Sequence, residues 1–127
     1  MWIRCNPNPG HYYVEDCVVR AIAIATNRTW LEVYDDICLE GRMMYNMPSI
    51  NRVWGHYLYR TGWAPFILPE ACPECITIRE FAKRFRKGTY IIGTGMHAVA
   101  VIDGDYYDAW DSGNEVPSYF FVKRTYR

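Results

Sequence analysis

The sequence predicts an α+β fold on three observations. Two capping boxes, Thr29-Trp30-Leu31-Glu32 and Thr77-Ile78-Arg79-Glu80, open helices ahead of the last third of the chain. Apolar runs of strand length crowd residues 89–123. Asp103-Gly104 separates two of those runs, a strong signal for a two-residue type I′ hairpin turn. Helices first and an antiparallel sheet afterwards is the α+β order.

The elements follow in turn. Residues 1–15 hold Asn6-Pro7-Asn8-Pro9-Gly10, turn chemistry with an extended bias, and read as a surface arm. Asp16 is a good N-cap for a helix over Cys17–Thr26. That helix is apolar almost all round, as a central buried helix is, and Asn27 ends it. The first capping box opens a helix from Trp30 to about Glu40, with Gly41 as the stop and Trp30, Val33, Tyr34 and Ile37 as its apolar stripe. Residues 42–47 form a methionine-rich loop, expected to pack on the helices as a flexible cover or to wall a groove. Ser49 caps a third helix, Ile50 to about Arg60, stopped by Gly62. Trp63–Leu68 is a short extended run closed by Pro69. The second capping box opens a helix to about Arg86, ended by Gly88. Strands are expected at Thr89–Thr94, Met96–Ile102, Asp105–Trp110 and Ser118–Lys123.

Composition bounds the function. The 127 residues are expected to form a single domain, 1–127, with half of them hydrophobic and 17% aromatic, which argues against disorder. Formal net charge is zero, so no overall field gathers nucleic acid or an anionic membrane. No stretch approaches the length of a membrane span, and Met1-Trp2-Ile3-Arg4-Cys5 does not read as a signal peptide, so the expected compartment is the cytoplasm. Five cysteines cannot all pair, and reduced thiols are expected. Cys72-Pro73-Glu74-Cys75 has metal-ligand spacing, but zinc needs two more ligands, and Cys5 and Cys38 lack paired spacing. The pair is expected as a structural turn, with zinc and a redox pair as the alternatives. No metal or cofactor is expected. Lys83-Arg84-Phe85-Arg86-Lys87 reads as a solvated face, and His56 as structural.

Chemistry concentrates in the hairpin. With the turn at Asp103-Gly104, Ile102 faces Asp105, Val99 faces Asp108 and His97 faces Trp110. Alternation then places His97, Val99, Val101, Tyr106, Asp108 and Trp110 on one face. A histidine with a carboxylate in reach is a general base with its orienter. Asp111 is the rival orienter at the strand end, and parity favours Asp108. The matching nucleophile is Cys17. A helix N-terminus and a nearby imidazolium both favour its thiolate. Glu15 and Asp16 oppose it unless Asp16 is occupied as the cap.

Cys17 opening the central helix, His97-Ala98-Val99-Ala100-Val101 and Asp108-Ala109-Trp110 together resemble the papain-like cysteine peptidase superfamily, in a compact version close to its C39-like group. Asp16-Cys17-Val18-Val19-Arg20-Ala21, Tyr107–Gly113, Met47-Pro48-Ser49, Val53-Trp54-Gly55 and the Cys72/Cys75 pair also resemble small uncharacterised proteins of bacteria and phages. The resemblance implies a helical N-terminal lobe, with the Cys17 helix packed on a C-terminal antiparallel sheet. It implies a Cys17–His97–Asp108 triad, with Trp110 shielding the orienter. Papain relatives carry a glutamine six residues before the cysteine as oxyanion donor. His11 stands there in this chain, and His11, Asn8 and Asn6 are the candidate donors.

The function implied is thiol hydrolysis of a peptide or isopeptide bond in a peptide or protein substrate. The alternatives are amide or acyl transfer by the same triad, and a degenerate papain-like binding module of phage origin. So short a chain leaves little room for deep subsites, so specificity is expected to draw on a homodimer or a protein partner.

Overall fold

The computed structural model describes residues 1–11 and 14–124; residues 12 and 13 of the expected arm lie outside them. Ten elements follow in order: β1 (Trp2–Arg4), α1 (Cys17–Thr26), α2 (Trp30–Met43), α3 (Asn51–Arg60), β2 (Trp63–Ile67), α4 (Ile78–Arg84), β3 (Thr89–Gly93), β4 (Ala98–Ile102), β5 (Asp105–Asp108) and β6 (Tyr119–Lys123). The class is mixed α+β.

Six strands form one sheet in the order β1-β5-β4-β3-β6-β2. The expected all-antiparallel C-terminal sheet needs correcting at both edges. β1 comes from the expected surface arm and runs parallel to β5, Trp2 opposite Tyr106 and Arg4 opposite Asp108. β2 pairs antiparallel with β6. An edge strand of three residues is fixed by its distant partner, not by local sequence, so no periodicity marked it.

Two core clusters cover the sheet. Ile22, Val33, Ile37, Trp54, Leu58, Ile91 and Ala98 belong to the one that joins α1, α2 and α3 to the strands. Ile78, Phe81, Ile92, Val99, Val101 and Tyr106 belong to the one under α4. Most of these side chains are fully enclosed, at about 25 cal/mol for each Å² of apolar surface removed from water.

Both capping boxes are present, Thr29 with Glu32 and Thr77 with Glu80. α1 has the expected ends, and Asn27 closes it in the left-handed region at φ 54°. Several caps differ from expectation. Asp16 makes no side-chain capping bond; its carboxylate is engaged elsewhere. Ser49 is not the cap of α3: Ile50 holds that position, without a side-chain bond. Gly41 does not stop α2, which runs on to Met43. A Cβ at Gly41 would stand 2.8 Å from the Asn46 carbonyl oxygen and 3.2 Å from the Pro48 nitrogen. That glycine therefore serves the close return of the following loop rather than the helix end. Met43 and Met47 are exposed rather than packed on the helices. α4 ends at Arg84, two residues early, and the exposed charges of the 83–87 run follow its solvent side.

Candidate active site

α1 begins at Cys17 and packs across β4, bringing the cysteine to the strand's entrance. The hairpin turn falls where expected. Asp103 and Gly104 both have positive φ, 49° and 89°, as a type I′ turn requires. Ile102 pairs with Asp105, Val101 with Tyr106 and Ala100 with Tyr107.

The shared-face expectation fails beyond those pairs. Val99, Val101 and Tyr106 belong to the cluster under α4. His97 lies just before β4 and Asp108 ends β5, so neither is held to the strict alternation of the strands between them. Both meet α1 instead. His97 Nε2 donates to Asp108 Oδ2 at 2.6 Å. With Nε2 engaged, Nδ1 is the nitrogen left to face Cys17, whose thiol lies close enough to His97 and the Ala98 backbone for both to favour its ionised form.

The electrostatics separate this cysteine from the others. Burial raises the Cys17 thiol, but the neighbouring His97 side chain and Ala98 backbone and the positive charges of His97 and Arg20 outweigh it, and its pKa falls below the ordinary value. Cys5, with burial alone acting, is pushed up. Burial lowers the His97 imidazole, but its bond to Asp108, the neighbouring Cys17 and the negative charges of both prevail, and it is raised to about 9. The arrangement favours a thiolate–imidazolium pair at neutral pH.

Asp108 is buried and fully engaged. Besides His97 it accepts from Ser112 Oγ at 2.6 Å and from the Ala109 N–H at 2.8 Å. Arg20 Nη2 reaches its other oxygen at 3.4 Å. Asp111 points away to the α4 side, accepting from the Tyr106 hydroxyl at 2.6 Å and pairing with Arg79 at 3.4 Å. Among the described residues it makes no hydrogen bond to His97 or Asp108, so it does not take the rival orienter's place. Trp110 stacks on the His97 ring, centroids 4.8 Å apart.

Arg20 is the residue that sequence reasoning missed. It is buried, pairs with Asp16 through Nη1, and sets its guanidinium 5.2 Å above the Trp110 ring. Asp16 also accepts from Asn8 Nδ2 and Trp30 Nε1, each at 3.0 Å. An arginine four residues after an aspartate, inside an otherwise apolar helix, was the available signal. Ser112 carried none, because a loop serine meets a carboxylate only through the fold.

The three expected oxyanion donors are not at the site. Asn8 is buried with its amide on Asp16, and its Oδ1 accepts from the Gly10 N–H. Asn6 Oδ1 accepts from the Asn8 N–H. His11 is exposed, with φ 55°. None borders the cavity of about 840 Å³ that opens over Cys17 and His97. Trp30, Tyr34, Trp54, Met96 and Trp110 give that cavity its apolar wall, and Glu15, Asp16 and Glu115 its acidic groups. Of the methionines only Met96 borders it; those of the 42–47 loop do not.

Cys72 and Cys75 form a disulfide, their Cα atoms 4.6 Å apart, against the expectation of reduced thiols throughout. They are close enough in the turn to bridge without backbone movement. Cys5, Cys17 and Cys38 are free. Among the described residues no cluster of His, Cys, Asp or Glu is arranged to hold a metal ion, and no helix is long and apolar enough to cross a membrane. The chain matches no family model, no curated protein and no solved structure.

Proposed function

We propose that this chain is a thiol hydrolase of the papain-like kind, acting on a peptide or isopeptide bond. One observation carries the reading. A cysteine at a helix N-terminus, beside an imidazole whose Nε2 is held at 2.6 Å by a buried carboxylate, borders an open cavity. The chain order Cys17, His97, Asp108 supports it as well.

The chemistry follows from the geometry. The Cys17 thiolate adds to the carbonyl carbon, and the π electrons move to oxygen. N–H groups of the first turn of α1, free of intrahelical partners, face the developing negative charge. The tetrahedral adduct collapses, the C–N bond breaks, and imidazolium His97 gives its proton to the leaving amine. Neutral His97 then takes a proton from water as the water attacks the thioester. The carboxylic acid leaves, and the thiolate–imidazolium pair returns. Asp108 keeps the ring oriented throughout. An amine in place of water gives acyl transfer by the same steps.

Iodoacetamide tests the reading. Cys17 is expected to alkylate fastest of Cys5, Cys17 and Cys38 near pH 7, read by peptide mass spectrometry. Fluorogenic peptide amides should then be cleaved, and Cys17→Ser should abolish the cleavage. Equal alkylation of the three thiols would overturn the proposal.

A further inference from the structure

We propose that the Tyr119 hydroxyl is a substrate-binding donor that takes a neutral carbonyl oxygen of the bound chain beside the Cys17–His97 pair. The proposal rests on reading that pair as the reacting centre.

Tyr119 opens β6 opposite Gly93 of β3. Its ring lies over that glycine: a Cβ there would come within 2.4 Å of the Tyr119 hydroxyl oxygen. The absence of a side chain at position 93 is what makes room for the phenol. Trp54 flanks the ring at 5.9 Å, and Phe121 meets it edge-on at 6.0 Å. A ring held on three sides has few rotamers to lose when a ligand binds.

Tyr119 lines the same cavity as Cys17 and His97, and no hydrogen bond to a described residue engages its hydroxyl. It is close enough to the nucleophile to sense it. Burial, and then the negative charge of Cys17, push the phenol up to about 12. It therefore stays a neutral donor at any working pH.

Neighbouring donors are already committed. Asn51 Nδ2 donates to the Gly95 carbonyl, and Trp54 Nε1 donates to Asn51. Trp30 Nε1 and the Arg20 guanidinium are held by Asp16 and Asp108. A half-buried donor without a partner, facing a cavity, is completed by an acceptor on the ligand. The negative charge of Cys17 reaches the phenol, so an anionic acceptor at that position is repelled. A backbone-type carbonyl is not. The substrate class is thus a chain with neutral carbonyls near the scissile bond, as in a peptide.

The test compares two electrophiles with one warhead, methyl vinyl sulfone and the vinyl sulfone of acetyl-Phe-Gly. In wild type the peptide probe is expected to label Cys17 faster. Tyr119→Phe keeps the ring over Gly93 and removes the hydroxyl. It should lower the ratio of peptide to small-probe rates about tenfold, about 1.4 kcal/mol. Gly93→Ala, which displaces the ring, should lower the ratio at least as far; thermal melting checks that each variant is folded. A ratio within twofold of wild type in folded Tyr119→Phe overturns the proposal, as does a wild type with no preference for the peptide. Failure of the reacting-centre reading has a different mark, Cys17 no faster than Cys5 and Cys38 toward methyl vinyl sulfone. In that event the reversible affinity of acetyl-Phe-Gly amide, followed by NMR, still decides the role of Tyr119. Equal affinity in wild type and Tyr119→Phe overturns it.

Discussion

Replacing Asp108 by Asn keeps the volume of the side chain and removes its charge. The carboxylate accepts from His97 Nε2 and Ser112 Oγ at 2.6 Å, from the Ala109 N–H at 2.8 Å and from Arg20 at 3.4 Å. Against the burial that lowers it, His97 is lifted from an ordinary 6.5 to about 9, chiefly by Asp108 and then Cys17. That lift corresponds to about 3 kcal/mol of preference for imidazolium, at 1.36 kcal/mol per pH unit. Two anions share it and the open cavity screens it, so roughly half falls to Asp108. About 1.5 kcal/mol is about tenfold. Asp108→Asn is therefore expected to lower the His97 midpoint by about one pH unit, which leaves the imidazolium in place at pH 7 and Cys17 alkylation there little changed. The first is read by imidazole NMR, the second by iodoacetamide kinetics. Arg20 keeps Asp16 as a partner in the variant, so the melting temperature should move only a few degrees. A folded variant with an unmoved His97 midpoint would refute the reasoning.

Four further outcomes are expected. His97→Ala should remove the advantage of Cys17 over Cys5 and Cys38 in competitive alkylation, since its nearness and charge oppose the burial of the thiol. Peptide hydrolysis by wild type should rise with pH as the lowered Cys17 thiol ionises and fall through about 9 as His97 loses the proton it gives the leaving amine, a bell in the pH–rate profile. Glu40→Gln should cost about 1 kcal/mol near neutral pH, because Glu40 is buried between Arg60 and His56, which are themselves half exposed and screened. The Arg60 bond, outweighing burial, lowers the Glu40 carboxyl, so its contribution is complete above the ordinary carboxylate range and disappears as pH falls through the depressed value; urea melts at neutral and acid pH should show the gap closing. Gly41→Ala should destabilise by about 1–3 kcal/mol in thermal melts, from the 2.8 Å contact its methyl would make with the Asn46 carbonyl.

Local signals told the sequence reader most where the physics is local. A capping box closes on itself within four residues, and both appear as expected at Thr29 and Thr77. Asp-Gly needs only its own positive φ angles to set the hairpin register, and the register holds through Ala100 and Tyr107. Misreadings came where distant chain decides. β1 is a strand because β5 lies beside it, and Asp16 holds the N-cap position without a side-chain capping bond because Arg20, Asn8 and Trp30 claim its carboxylate. The preference for Asp108 over Asp111 rested on strand parity, which does not reach the hairpin ends. The structure brings Asp108 to His97 for another reason: Asp111 is held by Tyr106 and Arg79 on the α4 side.

Arg20 resolves the objection that Glu15 and Asp16 raise against a thiolate at Cys17. Two buried carboxylates, Asp16 and Asp108, flank the start of α1, and either one unpaired would carry a large desolvation cost. One guanidinium serves both, Nη1 on Asp16 and Nη2 on Asp108, so neither anion acts on the thiol uncompensated. A lysine, with a single point of charge, could not span them. Its face is used too, lying on Trp110 while the Trp110 ring stacks on His97. The negative charge that remains near the thiol is Glu15, which is exposed and screened by water. With the carboxylates balanced in this way, the imidazolium of His97 is left to act on the thiolate of Cys17, and the positive charge of Arg20 adds to its effect.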